Sequence, residues 1–204
     1  AAMSLVSYSS CRANNNNRMN DNAPGPENTM DAAKVYMTTE ITPESLARIY
    51  RALGREVSGR VGVKLHMGEP GGHNYLKPEL VGEFVKSIDG TFIDACTAYG
   101  GRRSTAAEHY KVAEEHGFAA IGPVDILDQE GEMPLPIEGG THLTEVLVGS
   151  HFDDYDFIVI LTHFKGHAMG GFGGSLKNIS IGVASVTGKR LIHTAGASRT
   201  NAFA

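Results

Sequence analysis

The chain has 204 residues, enough for one well-packed domain, and its 41% hydrophobic and 20% charged content is typical of globular proteins. A formal net charge of −5 gives no electrostatic basis for binding nucleic acid, so neither DNA nor RNA is an expected partner. The two cysteines, Cys11 and Cys96, are too few to hold an iron–sulfur cluster within this chain.

Residues 1–31 are predicted to be a disordered N-terminal tether. A run of four asparagines and the polar, proline- and glycine-containing stretch after it show no apolar period. The preceding AAMSLVSYSSC resembles the end of a bacterial lipoprotein signal, in which small residues precede a lipidated cysteine. This pattern favours a lipoprotein of the cell envelope that contacts the membrane only through a lipid on Cys11. The alternative is a cytoplasmic protein with a disordered start.

From residue 32 to residue 204, strands alternate with amphipathic helices. Such strand–helix units, about 30 residues long, are typical of parallel strands joined by right-handed crossovers. We therefore predict an α/β fold, a mostly parallel sheet with helices on both faces, in a Rossmann-like three-layer domain. Strands are predicted at 34–38, 60–67, 91–96, 124–127 and 157–161, with one more proposed at 141–148. Helices are predicted at 43–56, 77–88, 105–116 and 174–180.

Four loops are predicted to meet at one edge of this sheet, because ligands of open parallel sheets bind beyond the carboxyl ends of the strands. These loops are MGEPGGHNY, TAYGGRRS, the turn near 125–128 and HFKGHAMGGFGGSLKN. Glycine pairs and polar side chains are concentrated in three of the four. Lys64, Glu69 and His73 lie near the second strand, where they would orient a ligand or simply be solvated loop residues.

The glycine-rich segment 163–178 is the strongest candidate for a binding loop. Six glycines occur from Gly166 to Gly182, and glycine lets the backbone approach a ligand closely. A flexible connection is the alternative, but flexible linkers rarely carry several histidine and lysine side chains. The candidate metal ligands are His163, His167 and His193, of which the first two are expected on a turn, where a spacing of four residues fixes no geometry.

Lys177 follows GGFGGSL at the predicted start of a helix, where free backbone N–H groups and the helix dipole favour an anion. It could hold a phosphate or carboxylate, or act as a nucleophile. The loop is not a Walker A sequence. Arg102 and Arg103 could donate paired hydrogen bonds to a carboxylate or phosphate, and the alternative is a solvated basic pair. The candidate cofactor-binding residues are Gly170, Gly171, Gly173, Gly174, Lys177, Asn178, Arg102 and Arg103.

Three segments carry a family resemblance: GHAMGGFGGSLKNISIGVASVTGKRLIH, VKLHMGEPGGHNYLKPE and TFIDACTAYGGRR. Together they resemble the family called domain of unknown function 362, described as uncharacterised Fe–S centre proteins, over most of residues 33–204. Many members continue into a ferredoxin-like insert whose clustered cysteines bind 4Fe–4S centres. This chain has no such cluster. The resemblance therefore implies 4Fe–4S chemistry only if an iron–sulfur partner or a C-terminal region absent from this chain supplies the centres.

A more distant likeness links the glycine-rich segment to nickel-pincer lactate racemases. The matching positions are His167, Lys177 and His193, ten and then sixteen residues apart. The resemblance implies that the first histidine is an acid/base group, that the lysine carries the pincer cofactor and that the last histidine ligates nickel. The racemases place another acid/base histidine in the loop that is YGGRR here, and this loop has none. That difference argues against racemisation by two bases.

The leading hypothesis is an α/β enzyme domain, oxidoreductase-like or racemase-like, that binds a small-molecule ligand. A phosphorylated or metal-containing cofactor would sit at the 163–178 loop, with His167, Lys177 and His193 as catalytic residues. Redox chemistry would require the missing iron–sulfur centres. The alternatives are a non-catalytic module at the cell surface that binds a metal or a small anion, and a racemase-like enzyme that transfers protons.

Overall fold

The computed structural model describes residues 2–9, 34–168 and 170–201. Its strands, in chain order, are β1 (Ala2–Ser9), β2 (Val61–Lys64), β3 (Gly90–Asp94), β4 (Val124–Ile126), β5 (Glu132–Pro136), β6 (Glu145–Gly149), β7 (Phe157–His167) and β8 (Gly171–Gly173). Its helices are α1 (Pro43–Ala52), α2 (Pro78–Ser87), α3 (Ala106–Glu115), α4 (Phe118–Ile121), α5 (Ser175–Val183) and α6 (Val186–His193).

The central sheet has the strand order β1, β7, β2, β3, β4. Four of these strands, β7, β2, β3 and β4, run parallel to one another, whereas β1 is antiparallel to β7. The predicted α/β class, with a mostly parallel sheet between helices, is confirmed. The carboxyl ends of β2, β3 and β7 consequently lie at one edge of the sheet.

Alternate side chains along the strands enter two separate cores. Val63 of β2 and Val159 of β7 belong to the larger core, which helices α1 to α4 cover. Ile93 of β3 and Ile158 of β7 belong to the smaller core on the opposite face, which is closed by α5 and β6. Because successive side chains of a strand point to opposite faces, the sheet has one core on each face. With the elements that cover these cores, the sheet forms a three-layer domain.

The strand predicted at 34–38 is wrong. These residues form no strand, and Val35 and Met37 are 89% and 87% exposed. β2 has β7 on one side and β3 on the other, so the sheet offers no place beside it for another strand. Apolar and β-branched residues form a strand only where a neighbour can complete the backbone hydrogen bonds.

β1 occupies a stretch that the sequence analysis assigns to the disordered tether. Ala2–Ser9 pairs with Phe157–Phe164 of β7 in an antiparallel register. The pairing partner is more than 140 residues away along the chain, so the local sequence gives no sign of it. Residues 10–33, including Cys11 and the asparagine run, lie outside the described residues, and the predicted lipid anchor stays a prediction.

A two-stranded antiparallel ribbon, β5 with β6, lies apart from the central sheet. The strand proposed at 141–148 is present as β6, shifted to Glu145–Gly149. Its partner β5 was not predicted because Pro134 and Pro136 break the usual strand pattern. Proline is tolerated there because β5 is an edge strand, where the missing N–H groups are not needed for a second ladder.

β7 is longer than the predicted 157–161 strand and continues to His167. β8 pairs with its end, so the predicted turn at 163–167 is one arm of a β-hairpin. The glycines of GGFGG supply the other arm and the start of α5. Within the described residues, no helix has the length and apolar character needed to span a lipid bilayer.

Candidate functional site

A cleft of about 400 Å³ opens at the carboxyl edge of the parallel sheet. It is lined by the ends of β2 and β3, the distal half of β7, the short strand β8 and the helices α5 and α6. Three of the four loops predicted to meet at this edge contribute to it. The fourth does not line it, since Asp128 accepts a hydrogen bond from the Cys96 backbone N–H (2.9 Å) and Asp125 binds His151 (2.9 Å).

A buried ion pair lies at the base of the cleft. Lys64, the last residue of β2, places Nζ 3.0 Å from Oδ1 of Asp94, the last residue of β3, and the two side chains are 1% and 4% exposed. Burial lowers the pKa of Lys64. Burial also opposes ionisation of Asp94, but Lys64 and Arg103 outweigh it and hold the pKa of Asp94 well below its usual range.

Arg103 occupies the second oxygen of Asp94. Its Nη2 lies 2.9 Å from Asp94 Oδ2, its Nη1 lies 2.5 Å from Glu69 Oε1, and its Nε donates to His109 Nε2 at 3.0 Å. The Arg103 and His109 side chains are 5% and 0% exposed. Three partners fix the planar guanidinium in one orientation beside the cleft.

Asn178 connects α5 to the end of β2 and to the middle of β7. Its Oδ1 accepts a hydrogen bond from Lys64 Nζ at 2.8 Å. Its Nδ2 donates to the Leu161 carbonyl (3.0 Å), to Thr162 Oγ1 (3.0 Å) and to the Lys64 carbonyl (3.3 Å). The predicted ligand-binding role of Asn178 is thus accompanied by a structural one, because this amide holds α5 against the sheet.

Lys189 of α6 contributes a second buried amine. Its side chain is buried and its Nζ donates to the Ala184 carbonyl. Burial lowers the pKa of Lys189 to about 8, although Asp128 and Asp94 act in the opposite direction. With a pKa of about 8, roughly a tenth of this amine is deprotonated at neutral pH, whereas an ordinary lysine is almost fully protonated.

The cleft carries an excess of positive charge. Five cationic side chains line it against the two carboxylates of Glu69 and Asp94, in a protein whose formal net charge is −5. The five are Lys64, Arg103, Lys165, Lys177 and Lys189. Burial lowers the pKa of Lys165, and burial together with Lys165 lowers the pKa of Lys177. An anion entering the cleft would relieve this mutual repulsion.

Two histidines of the cleft are held in opposite tautomers. The Gly170 backbone N–H donates to Nδ1 of His167 at 3.0 Å, so this nitrogen is unprotonated and a neutral ring carries its proton on Nε2. Nδ1 of His193 lies 2.6 Å from the Lys189 carbonyl, which can only accept, so His193 carries its proton on Nδ1. Lys177 lowers the pKa of His167, with a smaller effect of burial and of His193.

The structure brings most of the predicted site residues to the cleft. His163, Lys165 and His167 alternate along β7 and are half-buried on one side of it, while Phe164 and Gly166 are exposed. Gly170 lines a neighbouring groove, and Gly171 lines neither space. The predicted residues that line the cleft are His163, His167, Gly173, Gly174, Lys177, Asn178, His193 and Arg103.

The position of Arg102 does not support its predicted role in cofactor binding. Its guanidinium lies 2.7 and 2.8 Å from the carboxylate oxygens of Glu115 and 3.1 Å from Glu108, outside the cleft. Arg102 and Arg103 point to different partners because they lie in a short 3-10 helix, Arg102–Ser104, before α3. His73 is likewise exposed and does not line the cleft.

The predicted metal ligands do not form a metal site with one another. In the parts of the chain that the structure describes, no group of three histidine, cysteine, aspartate or glutamate side chains is arranged to hold a metal ion. His163, His167 and His193 all line the cleft, and Lys177 and Lys165 lower the pKa of His167. The residues present thus fit an anion better than a metal with three protein ligands.

Asp94 and Lys189 were not predicted from the sequence, and Lys64 was expected either to orient a ligand or to be a solvated loop residue, not to form a buried ion pair. Lys64 and Asp94 are the last residues of their strands, and Lys189 lies inside α6. Ligand-binding residues of an open parallel sheet are expected in the loops after the strands. A signal was present: a lysine in the apolar run VGVKL and an aspartate in TFIDAC are charged residues within buried strands. Such charges are seldom fully buried without partners.

The fold and the cleft define an α/β domain with a cationic cleft at the carboxyl edge of an open parallel sheet. The family model described as Domain of unknown function (DUF362) matches residues 61–204. The chain belongs to this family, as the sequence resemblance predicted, and the match includes every element that lines the cleft. No curated protein and no solved structure matches the chain. The likeness to nickel-pincer lactate racemases stays a prediction.

Proposed function

We propose that this chain binds a small anion, a phosphate- or carboxylate-bearing molecule, in the cationic cleft. The observation that carries the proposal is the convergence of five cationic side chains, with only two carboxylates, on one cleft of an acidic protein. Lys64 and Arg103 are already engaged with Asp94, and so Lys165, Lys177 and Lys189 are the cations best placed to meet a ligand.

Lys177 is the central residue of this proposal. It is the third residue of α5, next to the backbone N–H groups at the start of that helix, and its stem packs beside Gly173. A phosphate or carboxylate there would receive a charge-assisted hydrogen bond from Nζ and the favourable dipole of the helix. The enzyme and non-catalytic hypotheses share this binding step.

Calorimetric titration with inorganic phosphate and with acetate at low ionic strength tests the proposal. Lys177→Met should weaken binding by about tenfold or more, as expected for the loss of a hydrogen bond to a charged group. Lys86→Met removes the same charge from an exposed site on α2 and should leave binding unchanged. Equal affinities for Lys177→Met and wild type would reject the cleft as the binding site.

A second candidate function is proton transfer to and from the bound anion. The histidine pair favours it: a neutral His167 presents an N–H at Nε2, while a neutral His193 presents a lone pair at Nε2. Lys189, with its pKa near 8, is a third group that can exchange protons at neutral pH. Nitrogen-15 NMR of the histidine rings should find these two different tautomers, and a shared tautomer would contradict the assignment.

We propose no redox step. Among the described residues the free cysteine is Cys96, whose thiol is buried. Burial, together with Asp128, raises its pKa to about 12, which favours an unreactive thiol over a thiolate nucleophile. The iron–sulfur hypothesis rests on the family resemblance alone.

A further inference from the structure

An apolar groove continues directly from the cationic cleft. It has a volume of about 590 Å³ and shares Lys177, His167 and His193 with the cleft. Its own walls are formed by Phe164, Phe172 and Leu176. The two spaces therefore meet at Lys177, with charges on one side and large apolar side chains on the other.

The apolar side chains of this groove are exposed to an unusual degree for their size. Phe164, Phe172 and Leu176 are 44%, 61% and 85% exposed. The two phenyl rings stack with their centroids 5.4 Å apart and their planes 30° from parallel. Single exposed apolar residues are ordinary, but three that share a groove beside a polar pocket are typical of a ligand site.

Gly174 lines the groove beside the two rings. A Cβ atom at this position would lie 3.6 Å from carbon atoms of both Phe164 and Phe172, in ordinary contact distance. Gly174 also precedes α5, so the stacked rings stand beside the first turn of the helix that carries Lys177. The hairpin and the helix thereby fix the ring surface and the amine relative to each other.

We propose that the ligand is an organic anion with an aromatic ring: the anionic group lies in the cleft near Lys177 and the ring packs on Phe172 and Leu176. This inference rests on the proposed anion binding and adds the second half of the ligand. Aromatic rings pack favourably on phenyl faces in offset or edge-on geometry. A docked protein would need about 800 Å² of buried surface on this side, which three side chains cannot supply.

Matched pairs of probes test the ring contribution without knowledge of the natural ligand. Phenyl phosphate is compared with inorganic phosphate, and benzoate with acetate, by calorimetric titration of the full chain. In wild type the ring-bearing member of each pair should bind about 5- to 30-fold more tightly, from apolar burial and ring packing. Butyl phosphate should gain less than phenyl phosphate, because an alkyl chain cannot stack.

The variant Phe172→Ala should abolish most of this advantage while leaving the affinity for inorganic phosphate unchanged. Leu176→Ala, at the more exposed position, provides a second variant, and Tyr36→Ala removes a partly exposed ring outside the groove as the control. An undiminished ring advantage in both groove variants would overturn the inference, as would an equal gain for butyl phosphate. If phosphate binds through Lys177 but the ring-bearing probes bind no more tightly than the ring-free ones, only the proposal of an aromatic ring in the groove is rejected. If no probe binds, the proposed anion binding is rejected as well.

Discussion

Lys64 and Asp94 pair at 3.0 Å at the ends of two neighbouring parallel strands, with almost no exposure to solvent. Removing one partner of a buried pair costs more than the pair contributes, because the remaining charge is left without compensation. Arg103 also binds Asp94, and Asn178 accepts a hydrogen bond from Lys64. A substitution of Lys64 or Asp94 should therefore alter both the shape of the cleft and the packing of α5 against the sheet.

We expect Asp94→Asn to lower the free energy of unfolding by about 3–5 kcal/mol, the range for breaking a buried ion pair. The substitution keeps the shape of the side chain but leaves the Lys64 and Arg103 charges facing each other. Urea unfolding at neutral pH measures the effect. Asp154→Asn is the control, because its pair with Arg60 is half exposed and should matter little. Equal losses for the two variants would contradict the prediction.

The pH dependence of stability should reveal the buried amine of Lys189. Its folded-state pKa of about 8 lies below its ordinary value of 10.5. Between these values the unfolded chain binds more protons, so the free energy of unfolding should rise with pH, by up to about 1.4 kcal/mol per pH unit for this group. Below about pH 8 the lysine is protonated in both states and this contribution to the slope disappears.

Lys189→Met should therefore flatten the rise in unfolding free energy above about pH 8. Urea unfolding of wild type and variant from about pH 7 to about pH 10 measures the difference in slope. Lys86→Met, at an exposed position, should keep the wild-type slope. Parallel curves for Lys189→Met and wild type would show that this amine is not perturbed.

Gly182→Ala should destabilise the protein although alanine is the better helix former. A Cβ atom at this position of α5 would lie 2.8 Å from Lys64 Nζ and 2.9 Å from its Cε. Lys64 cannot move aside without leaving Asp94 and Asn178. We expect a net loss of about 1–3 kcal/mol in thermal or urea unfolding, typical of overpacking.

Gly100→Ala is the matched control, because no atom lies within 4 Å of a Cβ atom there. Its unfolding free energy should stay close to that of wild type. A gain in stability for Gly182→Ala, which helix propensity alone would give at about 1 kcal/mol, would mean that Lys64 is free to rearrange.

The architecture could be predicted from the sequence because the spacing of apolar residues that marks a helix or a strand lies within that one element. The helices predicted at 43–56, 77–88 and 105–116 correspond to α1, α2 and α3, and the strands predicted at 60–67 and 91–96 correspond to β2 and β3. Each of these patterns is contained within a few turns or residues. The rule that parallel strands place ligands at their carboxyl ends then pointed to the edge at which the cleft opens. His167, Lys177 and His193 indeed line one cleft.

The ion-pair partners of single side chains and the pairing partners of strands could not be predicted in the same way. Arg102 and Arg103 are adjacent in sequence, yet one binds Glu115 on the surface and the other binds Asp94 in the interior. Their difference is set by the orientation of a 3-10 turn, which no residue pattern specifies. The pairing of β1 with β7 and the proline-containing ribbon also depend on contacts far apart in the chain.

The order of the strands has a consequence for synthesis on the ribosome. β2 pairs with β7 as well as with β3, but β7 begins at Phe157, long after β2 ends at Lys64. At about 5–20 residues per second, translation of the intervening stretch takes roughly 5–20 s. During that time the nascent chain exposes one unpaired side of β2, and this unpaired edge is a hazard for misassembly.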